Sequence, residues 1–196
     1  MVQVKKTLVR QAILDSAYDL LSERGYNRTT LQDIAVSAGT GVSSVYSYFP
    51  SKLHLLYAVV EPWYKDAFAR LEKKVRGART PRAKLRAIML GVWRDIPSEN
   101  IQLANSLMEA LATADPAQPK PVPLLRWTEE KLTGMVADAL SEDSRQLDHE
   151  AISTILIMAY DGFVINRRLN DLRDIERLSD AMCDVLIAHA GSGERA

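Results

Sequence analysis

Apolar residues along this chain recur at intervals of three and four rather than two, the spacing that gathers them on one side of a helix. Ile13, Ala17, Leu20 and Leu21 form the first such stripe, and Arg24-Gly25 closes it, glycine supplying the left-handed residue that ends many helices. Thr30 followed three positions later by Asp33 is a capping-box pattern, so a short second helix is predicted over 31–38, with Ile34 and Ala35 inward. Gly39-Thr40-Gly41 interrupts it. Residues 42–49 then allow about two turns, and Pro50-Ser51 ends them with a hydroxyl placed to cap the next helix.

From Lys52 the stripe Leu56, Val59, Val60, Trp63, Ala67 and Leu71 runs to about residue 75, with Pro62 inside it, where a kink or break is expected. Thr80-Pro81 opens a fifth helix bearing Leu85, Ile88, Met89 and Val92, and Pro97-Ser98 a sixth bearing Ile101, Ala104, Leu107, Met108 and Leu111. The four prolines of 115–123 predict a loop. A seventh helix begins at Leu124 and carries Leu132, Met135, Val136 and Ala139; an eighth, 147–169, is apolar on more than one side. Asp171 or Asp174 opens a ninth, with Ile175, Leu178, Met182 and Val185 on one face, ended by Gly191. Strand-like alternation and solenoid repeats are absent, so the fold class is all-α, with about nine helices.

The 196 residues suffice for a core without staples, and 47% hydrophobic with 26% charged positions describe an ordinary globular chain. Cys183 is the lone cysteine, and 1–10 lacks the apolar stretch of a secretory signal, so a cytoplasmic protein is expected. The longest apolar run, 151–165, is short for a membrane span and contains Ser153, Thr154, Asp161 and Gly162, so no membrane partner is expected. Total charge balances at 25 against 25, but the first 52 residues hold six basic side chains (Lys5, Lys6, Arg10, Arg24, Arg28, Lys52) and four acidic ones. That small excess permits a polyanion at this end.

Three short helices with a glycine-containing turn before the third make a helix-turn-helix. In Val42-Ser43-Ser44-Val45-Tyr46-Ser47-Tyr48-Phe49, Val45 and Phe49 stand four apart and can anchor the segment, leaving Ser43, Ser44, Ser47 and Tyr48 outward. Small residues bring a helix backbone close to base edges in the major groove, and hydroxyls bond to bases or phosphates alike. Lys52 can take a phosphate as a point charge, and Thr30 with the first amides of the second helix offers another anion contact.

The run Thr29-Thr30-Leu31-Gln32-Asp33-Ile34-Ala35, then Ala38-Gly39, then Tyr46-Ser47-Tyr48-Phe49-Pro50-Ser51-Lys52, closely resembles the DNA-binding domain of TetR (AcrR-type) transcriptional regulators, over roughly residues 8–56. Gly41 stands where that family usually has a capping serine and Ser43 where glycine is common, which leaves Thr40 as the capping hydroxyl. The resemblance implies a helix-turn-helix head over 1–52 and a body over 53–196 that binds an effector and dimerises, joined by the fourth helix. It implies DNA contacts from Thr30, Thr40, Gly41, Val42, Ser43, Ser44, Tyr46, Ser47, Tyr48 and Lys52, on a near-palindromic double-stranded operator. The implied dimer is built from the last two helices, through Ile152, Ile155, Leu156, Ala159, Leu178, Met182 and Val185. A helix apolar on two sides needs two partners, and a second copy supplies one.

Aromatic and methionine side chains of the body (Tyr64, Phe68, Met89, Trp93, Met108, Trp127, Met158, Tyr160, Phe163), with Asn105 as a polar contact, are candidates for lining a cavity for a small organic effector. They serve equally as core. Like-charge clusters are missing from the body, which favours an uncharged or amphipathic molecule. His54, His149 and His189 lack metal spacing with one another or with Cys183, and neither a metal nor a cofactor is expected. Gly39-x-Gly41-x-x-Ser44 follows a helix rather than a strand, which removes a nucleotide-binding reading. With no recognisable nucleophile-and-base motif, the reading is a ligand-responsive repressor and not an enzyme. The alternative is an all-helical enzyme or small-molecule carrier whose helix-turn-helix does not bind DNA.

Overall fold

A computed structural model describes residues 2–115, 123–140, 147–169 and 174–190, and the regular structure of these residues is helical throughout. The elements are α1 (Val2–Arg24), α2 (Leu31–Ser37), α3 (Val42–Tyr48), α4 (Lys52–Gly77), α5 (Pro81–Leu90), a π turn (Gly91–Asp95), α6 (Ile96–Glu99), α7 (Ile101–Thr113), α8 (Pro123–Ala139), α9 (His149–Arg168) and α10 (Ile175–Ala190). Because α5, the π turn and α6 follow one another without a gap, they make one helical rod, and the described residues hold nine rods in all.

Local chemistry sets most of the ends. Thr30 accepts from the Asp33 amide while the Asp33 carboxylate accepts from the Thr30 amide, the full reciprocal box. Ser51 accepts from the His54 amide, Thr80 from Ala83, and Asp174 from Arg177. Asn100 and Asp148, which the sequence pattern left unmarked, cap α7 and α9. The expected start at Pro97-Ser98 is corrected by this geometry: both residues lie inside the rod, and α7 begins behind Asn100. A proline inside a helix removes the donor for the carbonyl four residues back, here that of Trp93. The π turn ends at Asp95, one residue short of that proline, with the intervening Ile96 amide reaching back to Gly91. Pro62 does not break α4, which continues through it. Asp171 and Gly191 lie outside the described residues.

The chain divides into two compact units, one comprising Met1–Tyr64 with Asn100–Val122 and the other Lys65–Glu99 with Pro123–Ala196. The packing boundary therefore falls inside α4 rather than at residue 52, and α7 joins the amino-terminal helices. In the first unit α1 packs against α2, α3 and α7. Its core includes Ile13, Leu21, Ile34, Val45, Leu55, Leu56 and Leu103, all fully buried. The buried Thr29 hydroxyl reaches the carbonyls of Leu20 and Gly25, tying the segment after α1 back onto the end of that helix. Polar bonds tie α7 to α1 and its exit. Asn100 donates to Tyr18 and Ser22, Ser106 donates to the Leu21 carbonyl, and Glu109 accepts from the Asn27 amide at 3.0 Å.

In the second unit α5 packs on α8 and α10, α8 on α9, and the π turn on α9. Trp93 lies buried in the π turn, its indole N–H donating to the Leu156 carbonyl at 3.0 Å. Gly91 faces Leu71 so closely that a side chain there would overlap it. On the surface, Arg82, Arg86 and Arg94 bind Asp180, Asp184 and Glu176, an ionic clasp between the 81–99 rod and α10. Cys183 is fully buried among these helices, its thiol donating a weak bond to the Arg82 carbonyl at 3.8 Å. Among the described residues no helix is long and apolar enough to cross a membrane.

Candidate nucleic-acid interface

The turn between α2 and α3 is built from backbone bonds. Ala38, Gly39 and Thr40 each donate to a carbonyl of α2, and Gly39 takes a φ of +64°, which a β-carbon would strain. α3 starts behind Gly41, whose extended backbone caps the helix without any side-chain bond, so Thr40 does not act as the capping hydroxyl. Val45 and Phe49 are buried and hold α3 on the scaffold. The opposite side is open: Gly41, Ser43, Tyr46 and Ser47 are exposed, and Thr40, Val42, Ser44 and Tyr48 half-exposed.

Not every polar group on this side is free to bond outward. The Ser47 hydroxyl turns back onto the carbonyls of Ser43 and Ser44 at 2.9 and 3.0 Å, so its hydrogen is committed within α3. Thr30 donates its hydroxyl to Asp33 at 2.6 Å. That bond and the Thr30 amide hold the Asp33 carboxyl below the usual range, with Arg24 and Lys52 adding to the effect. The Lys52 ammonium donates to the Tyr26 carbonyl and lies 3.9 Å from the centroid of the Tyr26 ring. Burial lowers its pKa, against the opposing fields of Glu109 and Asp33. Lys52 thus ties the head together. A cation that the sequence reading did not single out, Arg10, stands over the Phe49 ring at 5.4 Å, at the end of α3. No spacing rule links positions 10 and 49; only the fold brings them together.

The effector candidates divide between the units. Phe68, Met89, Trp93 and Tyr160 are buried in the second, with Trp127 and Phe163 half-buried beside them. Phe68 meets Trp127 edge to face at 5.5 Å, and Trp93 meets Phe163 at 5.2 Å. Tyr64, Asn105 and Met108 belong to the first unit. The Asn105 carbonyl oxygen there is buried without a hydrogen-bond partner. Met158 is corrected: at 68% exposure it faces outward from α9 and lines no interior. Of the dimer candidates, Ile152 and Leu156 are buried within their own chain, Ala159 and Met182 are half-exposed, and Ile155, Leu178 and Val185 are exposed. Ile165 on α9 and Leu169 just past its end extend the exposed apolar set. Among the described residues no group of three or more histidine, cysteine or acidic side chains is placed to hold a metal.

Residues 13–59 match the family model described as bacterial regulatory proteins, tetR family. The HTH-type transcriptional repressor KstR of Mycobacterium tuberculosis is 25% identical over 147 residues, which cover 75% of this chain and 65% of that protein. Measured against the first curated relatives, the chain spans about half to two thirds of their length. A crystal structure of FadR from Bacillus subtilis in complex with stearoyl-CoA superposes with a TM-score of 0.69 at 18% identity, over 91% of this chain and 98% of that one. A TetR transcriptional regulator from Rhodococcus sp. RHA1 gives 0.62 at 20% identity, over 93% and 97%. These two likenesses establish the fold.

Proposed function

We propose that this chain, a member of the tetR family of bacterial regulatory proteins through its residues 13–59, is a homodimeric transcriptional repressor that leaves a palindromic operator when its body binds a small organic molecule. The observation that carries the DNA part is the two-sidedness of α3. Val45 and Phe49 are sunk in the scaffold, while Ser43, Ser44, Tyr46 and Tyr48 form an open surface of two hydroxyl-bearing small residues and two aromatics that can lie against base edges. A twofold pair presents this surface twice, to major grooves about 34–36 Å apart. The pairing face is the exposed apolar set of α9 and α10, Ile155, Met158, Leu178 and Val185, which water would otherwise cover. Ile152 and Leu156 support that face from inside.

Release requires an effector whose affinity differs between the operator-bound and free arrangements of the dimer. The aromatic pairs Phe68–Trp127 and Trp93–Phe163 suit an apolar or amphipathic molecule, as does the FadR neighbour's complex with stearoyl-CoA. Fluorescence-anisotropy titration against DNA upstream of the encoding locus tests the reading. Salt-sensitive, palindrome-selective binding by a dimer is expected, lost in Tyr46→Ala with the dimer intact, and weakened by an acyl thioester or similar amphipath. Binding indifferent to sequence, or a strictly monomeric protein, refutes it.

A further inference from the structure

We propose that the α3 surface selects its operator through thymine methyl groups and duplex shape, and not through hydrogen bonds to purine edges. This rests on the regulator reading above and adds the chemistry of the sequence selected. Each base has a preferred side-chain reader in the major groove: arginine or lysine for guanine, asparagine or glutamine for adenine, and a carboxylate for cytosine. Residues 34–51, which span the end of α2, the turn and all of α3, contain none of these; no charged and no amide side chain occurs between Asp33 and Lys52.

The two charged residues that flank the segment do not compensate. Lys52 is turned onto Tyr26, and Asp33 is locked in the capping box. What α3 presents instead is an apolar pair four residues apart, half-exposed Val42 and Tyr46 at 55% exposure, which adjoin on one helix face. The thymine C5-methyl is the apolar feature that base pairs offer in that groove. The hydroxyls beside the pair discriminate little, since serine bonds to any base edge and Ser47 has already spent its hydrogen inside the helix. Remaining selectivity comes from how readily the duplex adopts the shape the dimer demands.

The test uses the full chain. A site is selected from a random duplex pool at fixed salt, and each thymine is then replaced by uracil, which removes only the methyl. At the positions beneath Val42 and Tyr46, affinity should fall about fourfold for one half-site and about fifteenfold for both, the value of one buried methyl group each time. Val42→Ala should abolish the thymine–uracil difference at its own position and keep it at the other. Replacing guanine or adenine by the 7-deaza base, which removes the purine acceptor, should change affinity less than twofold. A selected site indifferent to uracil but weakened tenfold by a 7-deaza purine overturns this inference and leaves the regulator reading standing. Recovery of no site at all overturns both.

Discussion

Gly91→Ala tests the packing logic of the second unit, because two general rules give it opposite signs. Gly91 has helical angles, φ −59° and ψ −51°, and alanine in place of a helical glycine ordinarily gains about 0.5–1 kcal/mol. Here the new β-carbon would stand 2.9 Å from Leu71 Cδ2 and 3.1 Å from Leu71 Cγ, and closer still to Cδ1. Leu71 is 5% exposed, so its branch is confined by the core around it. Overpacking of this kind costs about 1–3 kcal/mol. From the middle of the two ranges, the net loss should be about 1 kcal/mol, or ~2–4 °C in Tm for a chain of this size. Urea unfolding at fixed protomer concentration measures it. Leu71→Ala alone should cost about 2–5 kcal/mol by leaving a cavity. In the double variant the new methyl fills part of that space, so the two losses should fall short of additivity by about 1 kcal/mol or more. Gly134→Ala, on the exposed side of α8 with open space around it, serves as the control and should stabilise. Gly91→Ala as stable as the parent, or strictly additive with Leu71→Ala, would refute the reasoning.

Asp161→Asn should stabilise the protein at neutral pH. Burial raises the Asp161 carboxyl above its ordinary value, so its penalty is absent below the unfolded pKa and grows as pH rises through the folded one; the gain, read as Tm, should shrink as pH falls toward about 4. Asp33 has the opposite sign. Its depressed pKa gives stability that is present above the unfolded value and lost as pH falls through the folded one, an increment that should vanish in Asp33→Asn when thermal melts are compared across the acid range. Thr30→Ala removes the cap of α2 and should cost about 1 kcal/mol in urea unfolding. Glu109→Ala deletes the acceptor for the Asn27 amide, and hydrogen exchange at Asn27 should quicken, whereas Glu109→Gln retains an acceptor and most of the protection.

Helix existence and most helix starts were legible in the sequence because their causes lie within four residues of one another. Thr30 with Asp33, Ser51 with His54 and Thr80 with Ala83 bond across one turn, and the apolar stripes follow from a fixed angle per residue. The helix-turn-helix and its open α3 surface were readable on the same grounds. Pro97 shows where this fails. A proline just inside a helix start and a proline tolerated behind a π turn look alike locally, and the difference lies in the packing of the π turn on α9.

Tertiary structure alone decided the rest. Periodicity fixes the angles between residues of a helix but not how that helix is rotated toward its neighbours. It marked α9 as two-sided, yet only packing turned Ile152 and Leu156 inward and Ile155 and Met158 outward. Nor does composition reveal whether a donor is already spent. Lys52 and Ser47 carry polar groups in any reading of the sequence, but their bonds to Tyr26 and to α3's own carbonyls exist only once the chain has folded. Arg10 reached the end of α3 by the same route, across 39 positions of sequence, because contact in a folded chain depends on distance in space and not along the backbone.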